Sequence, residues 1–486
     1  MLNMPARRFA TARGAVCDNP RMAFLPDSVR TALRNLFRQD MFAPTHWKRR
    51  LTLWSGGILV GFAAVAFAQA SDLAFAGFRK LLGISIWLPL ALLPAVFAAL
   101  AWLTSGPLRA TRGSGIPQVI AALEVPDADF RRRLLALPVV LCKMLLTLIG
   151  LAAGASIGRE GPTVHVGAGI MHALGRRLGY TDPAALSRFI LAGGGAGIAA
   201  AFNTPLAGVV FAIEELAGTF EHRFSGIVLT AVIFAGVVSL GVLGNYAYFG
   251  RVTAELPLGQ SWLAVLSCGL CGGIGGGLFV RTILLRDPDA ASRHPFARIA
   301  ALRARRPVVF AAACGVALAM LGIVSGGFGI SVYGTGYAEA RDLVQSGHSA
   351  AAAFGLLKLG ANIVSYWAGI PGGIFSPALA VGAGMGNTLA ALLPAADNTA
   401  VVLLGMGAFL AGVTQAPLTS AVISLELTAN QSMAIPIMAV CLLARAISSL
   451  VAPVPVYRAF AQRLIGEYEL QRAAADGAAQ PAEKPA

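Results

Sequence analysis

The placement of charge along the chain constrains its fold more than any other feature. Nine stretches of 18 or more residues contain no Asp, Glu, Lys or Arg. A helix that spans a membrane needs about 20 apolar residues, and a transmembrane β-barrel would show alternating polarity in strands of about 10 residues. The pattern therefore predicts an all-α polytopic membrane protein. The charge-free stretches are 51–71, 81–108, 189–213, 224–250, 256–280, 307–338, 359–396, 398–425 and 427–444.

Composition excludes the main alternative class. Charged residues make up 13% and hydrophobic residues 56% of the 486 positions, whereas a soluble domain has about 25% charged residues. A water-soluble enzyme is therefore excluded, and no enzymatic activity is expected. No metal or cofactor is predicted, and the two cysteines of CxxC spacing, Cys268 and Cys271, are interpreted as packing residues because they lie in an apolar stretch without a second ligand pair.

The net charge of +15 indicates topology and not nucleic-acid binding. Ten Lys and Arg against three acids occupy the first 50 residues, and seven Arg against two Asp occupy 281–306. Short basic segments beside membrane spans stay in the cytoplasm. We therefore predict that the chain lies in the cell inner membrane with both termini and the 281–306 loop on the cytoplasmic side. The predicted domains are a basic cytoplasmic segment, 1–50, a transmembrane domain, 51–460, and a short polar cytoplasmic tail, 461–486.

The transmembrane region repeats itself. The segment TPLAGVVFAIE at 204–214 is matched by APLTSAVISLE at 416–426, and in both the Glu comes nine positions after the Pro. GREGP at 158–162 and GIFSP at 373–377 precede them by similar distances. Two repeats are typical of transporters, and Gly/Pro-interrupted segments at matching positions of the two repeats indicate the binding site. We predict repeat one at about 51–250 and repeat two at about 256–460.

Three motifs combine a glycine turn with a proline near a helix start: GSGIP at 113–117, GREGP at 158–162 and GIFSP at 373–377. Proline is favoured at the first helical position because its missing N–H would be unpaired there. The exposed N–H groups and the helix dipole at such an end favour an anion. Three helix starts that converge within a membrane predict an anion site with few formal positive charges.

These three motifs together resemble the signature set of the CLC chloride channel and transporter family. The PLAG…EE segment at 205–215 and Tyr457 add to the resemblance, which covers about residues 50–460 in the same order. It implies an inverted-repeat bundle of tilted and broken helices, chloride and protons as the transported ions, and a homodimer with one pathway per subunit. The chain departs from many relatives in that no regulatory CBS domains are predicted after Tyr457.

The resemblance assigns a role to each candidate residue. Glu160 matches the gating glutamate, and Glu215 matches the inner proton-relay glutamate of the exchangers. Ser114 and Tyr457 match the side chains that hold the central chloride, with the backbone N–H groups of Ile374 and Phe375 alongside. Glu214 is a candidate for lining the proton entrance, and Glu426, its repeat partner, is expected to be structural.

Chloride/proton antiport is the function this pattern favours, and a passive voltage- or pH-gated chloride channel is the alternative. The two share a fold, so the sequence separates them only through Glu215. An intramembrane serine hydrolase built from Ser114 and His165 is a hypothesis from another class. It is disfavoured because Ser114 precedes Ile-Pro and does not lie in a nucleophile motif.

Overall fold

The computed structural model describes residues 44–218, 222–284, 295–346 and 352–479. Most of the predicted N-terminal segment, 1–50, therefore lies outside the described residues. The chain divides into two compact units, Met1–Ser55 and Gly56–Ala486. The described part of the first unit is helical, and all the side-chain and backbone contacts described below lie within the second unit.

The described part of the chain is helical and contains no β-strand, which confirms the predicted fold class. The helices of the first half are α1 (Pro44–Ile84), α2 (Pro89–Ser105), α3 (Ile116–Glu124), α4 (Ala128–Leu135), α5 (Leu137–Ala152), α6 (Glu160–Arg177), α7 (Pro183–Phe202), α8 (Pro205–Phe211), a π-helical turn (Ala212–Ala217), and α9 (His222–Leu243). Those of the second half are α10 (Leu263–Leu284), α11 (Pro295–Arg305), α12 (Pro307–Gly327), α13 (Tyr337–Ser346), α14 (Phe354–Trp367), α15 (Phe375–Ala390), α16 (Asn398–Thr414), α17 (Pro417–Thr428), α18 (Ala434–Val451) and α19 (Val456–Ala479).

Seven helical segments of the described chain are long and apolar enough to cross a membrane. A charge-free stretch is not always one span, because 359–396 contains the greater part of α14, a break at 368–374 and then α15. Likewise, 398–425 is interrupted after Thr414, where α16 ends. The seven segments are Trp47–Ile84, Ala128–Ala152, Pro183–Phe202, Gly226–Leu243, Gln260–Leu284, Pro307–Gly327 and Ala434–Val451.

The sequence repeat corresponds to a repeat of helices. The α6–α7–α8 series matches α15–α16–α17, with helix starts that differ by 212 to 215 residues. Asn203, with φ 57°, follows the last residue of α7, and Gln415, with φ 60°, follows the last residue of α16; both are left-handed although neither is glycine. Left-handed backbone is uncommon at such residues, so its occurrence at matching positions indicates equivalent chain breaks.

Glycines bring the equivalent helix pairs into backbone contact. A Cβ added to Gly167 of α6 would overlap the carbonyl oxygen of Gly193 on α7, and one added to Gly382 of α15 would overlap that of Gly405 on α16. Small residues that permit such an approach are the usual means of packing helices in membranes. These four glycines therefore act as packing residues.

Two predicted polar segments are largely helical. The basic loop 281–306 begins within α10 and contains α11, with 285–294 between them outside the described residues. The predicted tail, 461–486, begins inside α19, which continues to Ala479. A helix with charged faces can form outside the membrane. The polar composition of 461–486 was therefore compatible with a helix as well as with an irregular tail.

Candidate functional site

The three glycine–proline motifs meet in the fold. Gly158 and Gly373 exchange two backbone hydrogen bonds, each 2.7 Å from nitrogen to oxygen. The Gly372 N–H donates to the carbonyl oxygen of Gly113 over 3.4 Å, and a Cβ on Gly115 would lie 2.6 Å from the Gly161 carbonyl oxygen. The motifs therefore form one junction, as three converging helix starts require.

The starts of these helices differ from the predicted geometry in one respect. Pro117 lies in the first two positions of α3, close to where it was predicted. Pro162 and Pro377 are instead the third residues of α6 and α15, because those helices begin at Glu160 and Phe375. Proline is tolerated there because the N–H groups of the first turn have no partner within the helix. Gly115, with φ 114°, makes the turn into α3 that a side chain would oppose.

Glu160 belongs to α6, but its carboxylate lies at the start of α15. It accepts a hydrogen bond from the Ser376 hydroxyl at 2.5 Å and another from the Ser376 N–H at 3.4 Å. The Glu160 side chain is fully buried. A carboxylate at a helix N-terminus is stabilised by the N–H groups and the helix dipole. This carboxylate thus occupies the kind of position that an inorganic anion would take.

The neighbouring cation does not provide the main partner of Glu160. Arg159 donates to the Asp72 carboxylate at 2.7 Å and to the Ala68 carbonyl oxygen at 2.7 Å, both on α1. Its guanidinium is therefore held toward α1. The alternative in which Glu160 is a structural half of an Arg159 ion pair has no support from these contacts.

Two buried hydroxyls lie near this junction without a hydrogen-bond partner among the described residues. They belong to Ser114 and Tyr457, whose side chains are both almost fully buried. The Ser114 hydroxyl lies against Gly161, directly beside Glu160, and Tyr457 is within electrostatic range of Glu160. Buried polar groups are nearly always paired, so two unpaired donors next to one helix start are suited to a polar ligand.

Ser114 and His165 do not form the pair that a serine hydrolase requires. His165 Nε2 contacts the Leu134 carbonyl oxygen at 2.8 Å, and its Nδ1 atom has no partner in the described structure. The hydroxyl of Ser114 is likewise unpaired. A nucleophile needs a base within hydrogen-bond reach, so this arrangement gives the hydrolase hypothesis no support.

Ile374 and Phe375 form the start of α15, as N-cap and first helical residue, and both are buried. The Phe375 ring lies 6.0 Å from the Phe202 ring and 6.3 Å from the Phe211 ring, so repeat one holds this helix end. Sequence reasoning quoted Ser376 within GIFSP but gave it no role. The available signal was its position, because a serine in the first helical turn can donate its hydroxyl to a carboxylate.

Glu215 lies on the π-helical turn after α8 and is buried. Arg458 and Glu214 act on it electrostatically, and Tyr457 is within electrostatic range of Glu215 as well as of Glu160. Tyr457 therefore interacts electrostatically with both glutamates. Isolated π-helical turns are frequent at functional sites.

Glu214 and Glu426 make matching contacts across the two repeats. Glu214 accepts the Leu418 N–H at 3.1 Å and the Thr419 N–H at 2.6 Å, at the start of α17. Glu426 accepts the equivalent N–H groups of repeat one, from Leu206 at 3.2 Å and Ala207 at 2.6 Å, at the start of α8. Each glutamate thus caps the helix of the other repeat. Helices α8 and α17 must therefore run antiparallel, as an inverted repeat requires.

A buried lysine anchors the chain that leads into the junction. Lys358 donates to the Ser156 hydroxyl at 2.8 Å and to the carbonyl oxygens of Val332 and Gly334 at 2.9 and 2.8 Å. Ser156 donates to Asn362 at 2.7 Å, and Asn362 donates to the Pro377 carbonyl oxygen at 3.1 Å. The network connects the segment before GREGP with the first turn of α15, and it holds the two motifs in register.

Comparison with known proteins identifies relatives of this chain. The family model described as voltage gated chloride channel matches residues 95–449. A protein of Cronobacter sakazakii named H(+)/Cl(-) exchange transporter ClcA is 31% identical over 449 residues, which cover 87% of this chain and 91% of that protein. A ClcA protein of Klebsiella pneumoniae is 30% identical over 389 residues, covering 74% and 76% of the two chains.

Solved structures share the fold. A slow cyanobacterial Cl-/H+ antiporter superposes with a TM-score of 0.70 at 22% identity, over 87% of this chain and 99% of that one. A CLC-type fluoride/proton antiporter superposes with a TM-score of 0.68 at 24% identity, over 85% and 97% of the two chains. The predicted bundle of broken helices is thus confirmed as the architecture of this chain.

Proposed function

This chain belongs to the voltage gated chloride channel family, and from that premise we propose that it exchanges chloride for protons across a membrane. The relatives named H(+)/Cl(-) exchange transporter share its sequence over most of both chains. Chloride and protons are thus the proposed substrates, and a passive chloride channel is the competing function.

The observation that carries the proposal is the position of the Glu160 carboxylate at the start of α15. Ionised, it fills an anion site and excludes chloride. Protonated, it loses the charge that the helix start attracts, so it leaves and chloride enters. One carboxyl group thereby links proton binding to anion binding, which is the minimum requirement for exchange.

The anion site is proposed to be completed by the hydroxyls of Ser114 and Tyr457 and by the N–H groups at Ile374 and Phe375. The two hydroxyls are buried and unpaired in the described structure, and the N–H groups belong to a helix start. Neutral donors bind an anion without the strong hold of an arginine, which suits an ion that must also leave.

Glu215 is the proposed relay on the proton side. It is buried. An ionisable residue inside a membrane is energetically costly, so its presence indicates a functional role. Tyr457 is within electrostatic range of both glutamates. We propose that protons reach Glu160 by way of Glu215, while chloride uses the Ser114 side.

The deciding experiment is a reversal-potential measurement on purified protein in proteoliposomes under crossed chloride and pH gradients. Exchange predicts a reversal potential that depends on both gradients, and an imposed chloride gradient that drives protons uphill. A reversal potential that follows the chloride gradient alone would establish the channel instead. Liposomes without protein provide the control for leak.

We further propose a homodimer in the cell inner membrane with one pathway per subunit and with both termini in the cytoplasm. Helices α9, α8, α17 and α18 are consecutive neighbours. They expose apolar side chains such as Leu206 and Leu418 near the centre of that face. Single cysteines at these positions should crosslink between subunits, whereas cysteine at exposed Leu356 should not.

A further inference from the structure

A cavity of about 510 Å³ opens beside the GSGIP motif, and arginine dominates its charged lining. Ser114 is one of the lining residues, so the cavity extends to the proposed anion site. We call it the arginine cavity, after its four lining arginines: Arg109, Arg112, Arg303 and Arg463.

These arginines come from separate parts of the chain. Arg112 immediately precedes GSGIP, Arg303 lies in α11, and Arg463 lies in α19. The guanidinium groups of Arg112 and Arg303 both approach Gly369. A Cβ built there would be 3.2 Å from Arg112 Nε and 3.6 Å from a terminal nitrogen of Arg303. The tertiary structure thus brings like charges together at one wall of the cavity.

Carboxylates of the lining do not balance this charge. Glu467 is the one acidic residue of the lining, and it forms a 3.3 Å ion pair with Arg109. The Nε atom of Arg303 is buried and has no hydrogen-bond partner among the described residues. Burial, together with the charges of Arg112 and Arg463, lowers the pKa of the Arg303 guanidinium to about 10. Arg303 therefore remains charged at neutral pH, in a positive potential that repels it.

We propose that the arginine cavity binds a phosphate-bearing polyanion from the cytoplasm, with a pyrophosphate group as the recognised chemistry. Guanidinium forks match phosphate oxygens in pairs, which a single chloride ion does not offer. The volume lies within the range of about 300–1,000 Å³ that small-ligand sites occupy. A ligand with several negative charges satisfies converging arginines that a monovalent ion leaves in mutual repulsion.

The position of the cavity gives this binding a consequence. Gly113 and Ser114 belong to both the cavity lining and the first anion motif, and Tyr366, another lining residue, lies near the backbone of Ser114. A polyanion bound there would therefore block this route to the proposed anion site and inhibit transport. The inhibition, but not the binding, rests on the proposed transport function.

The first measurement is calorimetric binding of pyrophosphate to the purified full-length protein in detergent. Wild type should bind, and Arg303→Gln and Arg112→Gln should each weaken the affinity by about tenfold or more, as expected for the loss of one charged hydrogen-bonding partner. Arg305→Gln is the matched control. Arg305 is exposed at the end of α11 and does not line the cavity, so this variant should bind like wild type.

The second measurement is chloride flux from proteoliposomes of neutral lipid, with pyrophosphate added on either side. Gluconate at equal ionic strength controls for screening. Pyrophosphate should inhibit the wild type and the Arg305→Gln variant and should lose most of its effect on Arg303→Gln. Flux of the Arg303→Gln variant without pyrophosphate shows that it is folded.

A parallel set of vesicles that contain an anionic phospholipid separates two sources of the phosphate. Inhibition of chloride flux by pyrophosphate in neutral lipid assigns the site to a soluble ligand. Chloride flux that is inhibited only when the vesicles contain the anionic phospholipid assigns the site to a lipid headgroup. Wild type that binds no pyrophosphate and shows no inhibition in either vesicle overturns the proposal. So does binding that Arg303→Gln leaves unchanged. Absence of any chloride flux would refute the proposed function, and the calorimetry would still test the cavity.

Discussion

The two repeats have the same helix breaks, but only the first has carboxylates at the positions proposed to handle protons. Glu160 of repeat one corresponds to Phe375 of repeat two, 215 positions later, and Glu215 corresponds to Leu427, 212 positions later. Elsewhere the halves match closely, as in the reciprocal bonds of Gly158 with Gly373 and the crossed caps of Glu214 and Glu426.

This difference separates what builds the site from what operates it. The symmetric contacts are backbone bonds and helix caps, and they hold two antiparallel halves against each other. The asymmetric positions are those of single side chains, Glu160 and Glu215, which the symmetric contacts hold in place. Substitutions at asymmetric positions should therefore change coupling, whereas substitutions at symmetric ones should change stability.

The largest effect is expected for Glu160→Gln. Glutamine has the shape of the protonated acid but can neither bind nor release a proton, so chloride flux should persist while proton flux falls by about 100-fold or more. Proton and chloride fluxes measured in the same proteoliposomes provide the test, with Glu426→Gln as the matched control. Intact coupling in Glu160→Gln would remove this residue from the mechanism.

Glu215→Leu installs the residue that repeat two has at the equivalent position. Proton flux should fall by a similar factor because the relay is lost, while chloride flux should stay within a few-fold of wild type. The two variants differ in mechanism, since Glu215→Leu leaves the Glu160 carboxylate at the start of α15 and the chloride flux should still depend on pH. Chloride flux that becomes independent of pH would contradict this assignment.

Ser376→Ala tests how firmly repeat two holds the carboxylate of repeat one. The hydroxyl contributes the 2.5 Å hydrogen bond to Glu160, and a hydrogen bond to a charged group is worth about 1.5–3 kcal/mol. Its loss should let Glu160 leave more often and raise chloride flux near neutral pH by about tenfold. The alanine variant of Ser424, which donates within α17, serves as the control. Unchanged flux in Ser376→Ala would show that the hydroxyl does not restrain the gate.

The smallest effects are expected at the crossed caps. Glu214→Gln and Glu426→Gln should each destabilise the protein by about 1–2 kcal/mol, because each loses a charge at a helix N-terminus. Thermal denaturation in detergent should show similar shifts for both variants, and proton coupling should be retained. Loss of coupling in Glu214→Gln alone would break the symmetry and support the predicted place of Glu214 at the proton entrance.

Much of the architecture could be predicted from the sequence. Charge-free stretches indicated the membrane helices, and the equal Pro-to-Glu spacing of 204–214 and 416–426 indicated the repeat. The first residues of α6 and α15 were less predictable. Proline is tolerated at any position of the first helical turn, so Pro162 and Pro377 do not define where the helix begins. The roles of Glu214 and Ser376 were also out of reach, because the groups that each contacts are more than 200 positions away.

The sequence by itself determined that this chain lies in a membrane, that it consists of two similar halves and that three of its helices begin at glycine-rich breaks. These properties follow from local patterns of charge, glycine and proline. Only the tertiary structure decided that Glu160 lies at the start of α15, that the two halves cap each other and that Arg112 and Arg303 share a cavity. The physical reason is that apolar helices of similar composition can pack in many ways, and the positions of their polar ends become defined only once the small-residue contacts have selected one packing.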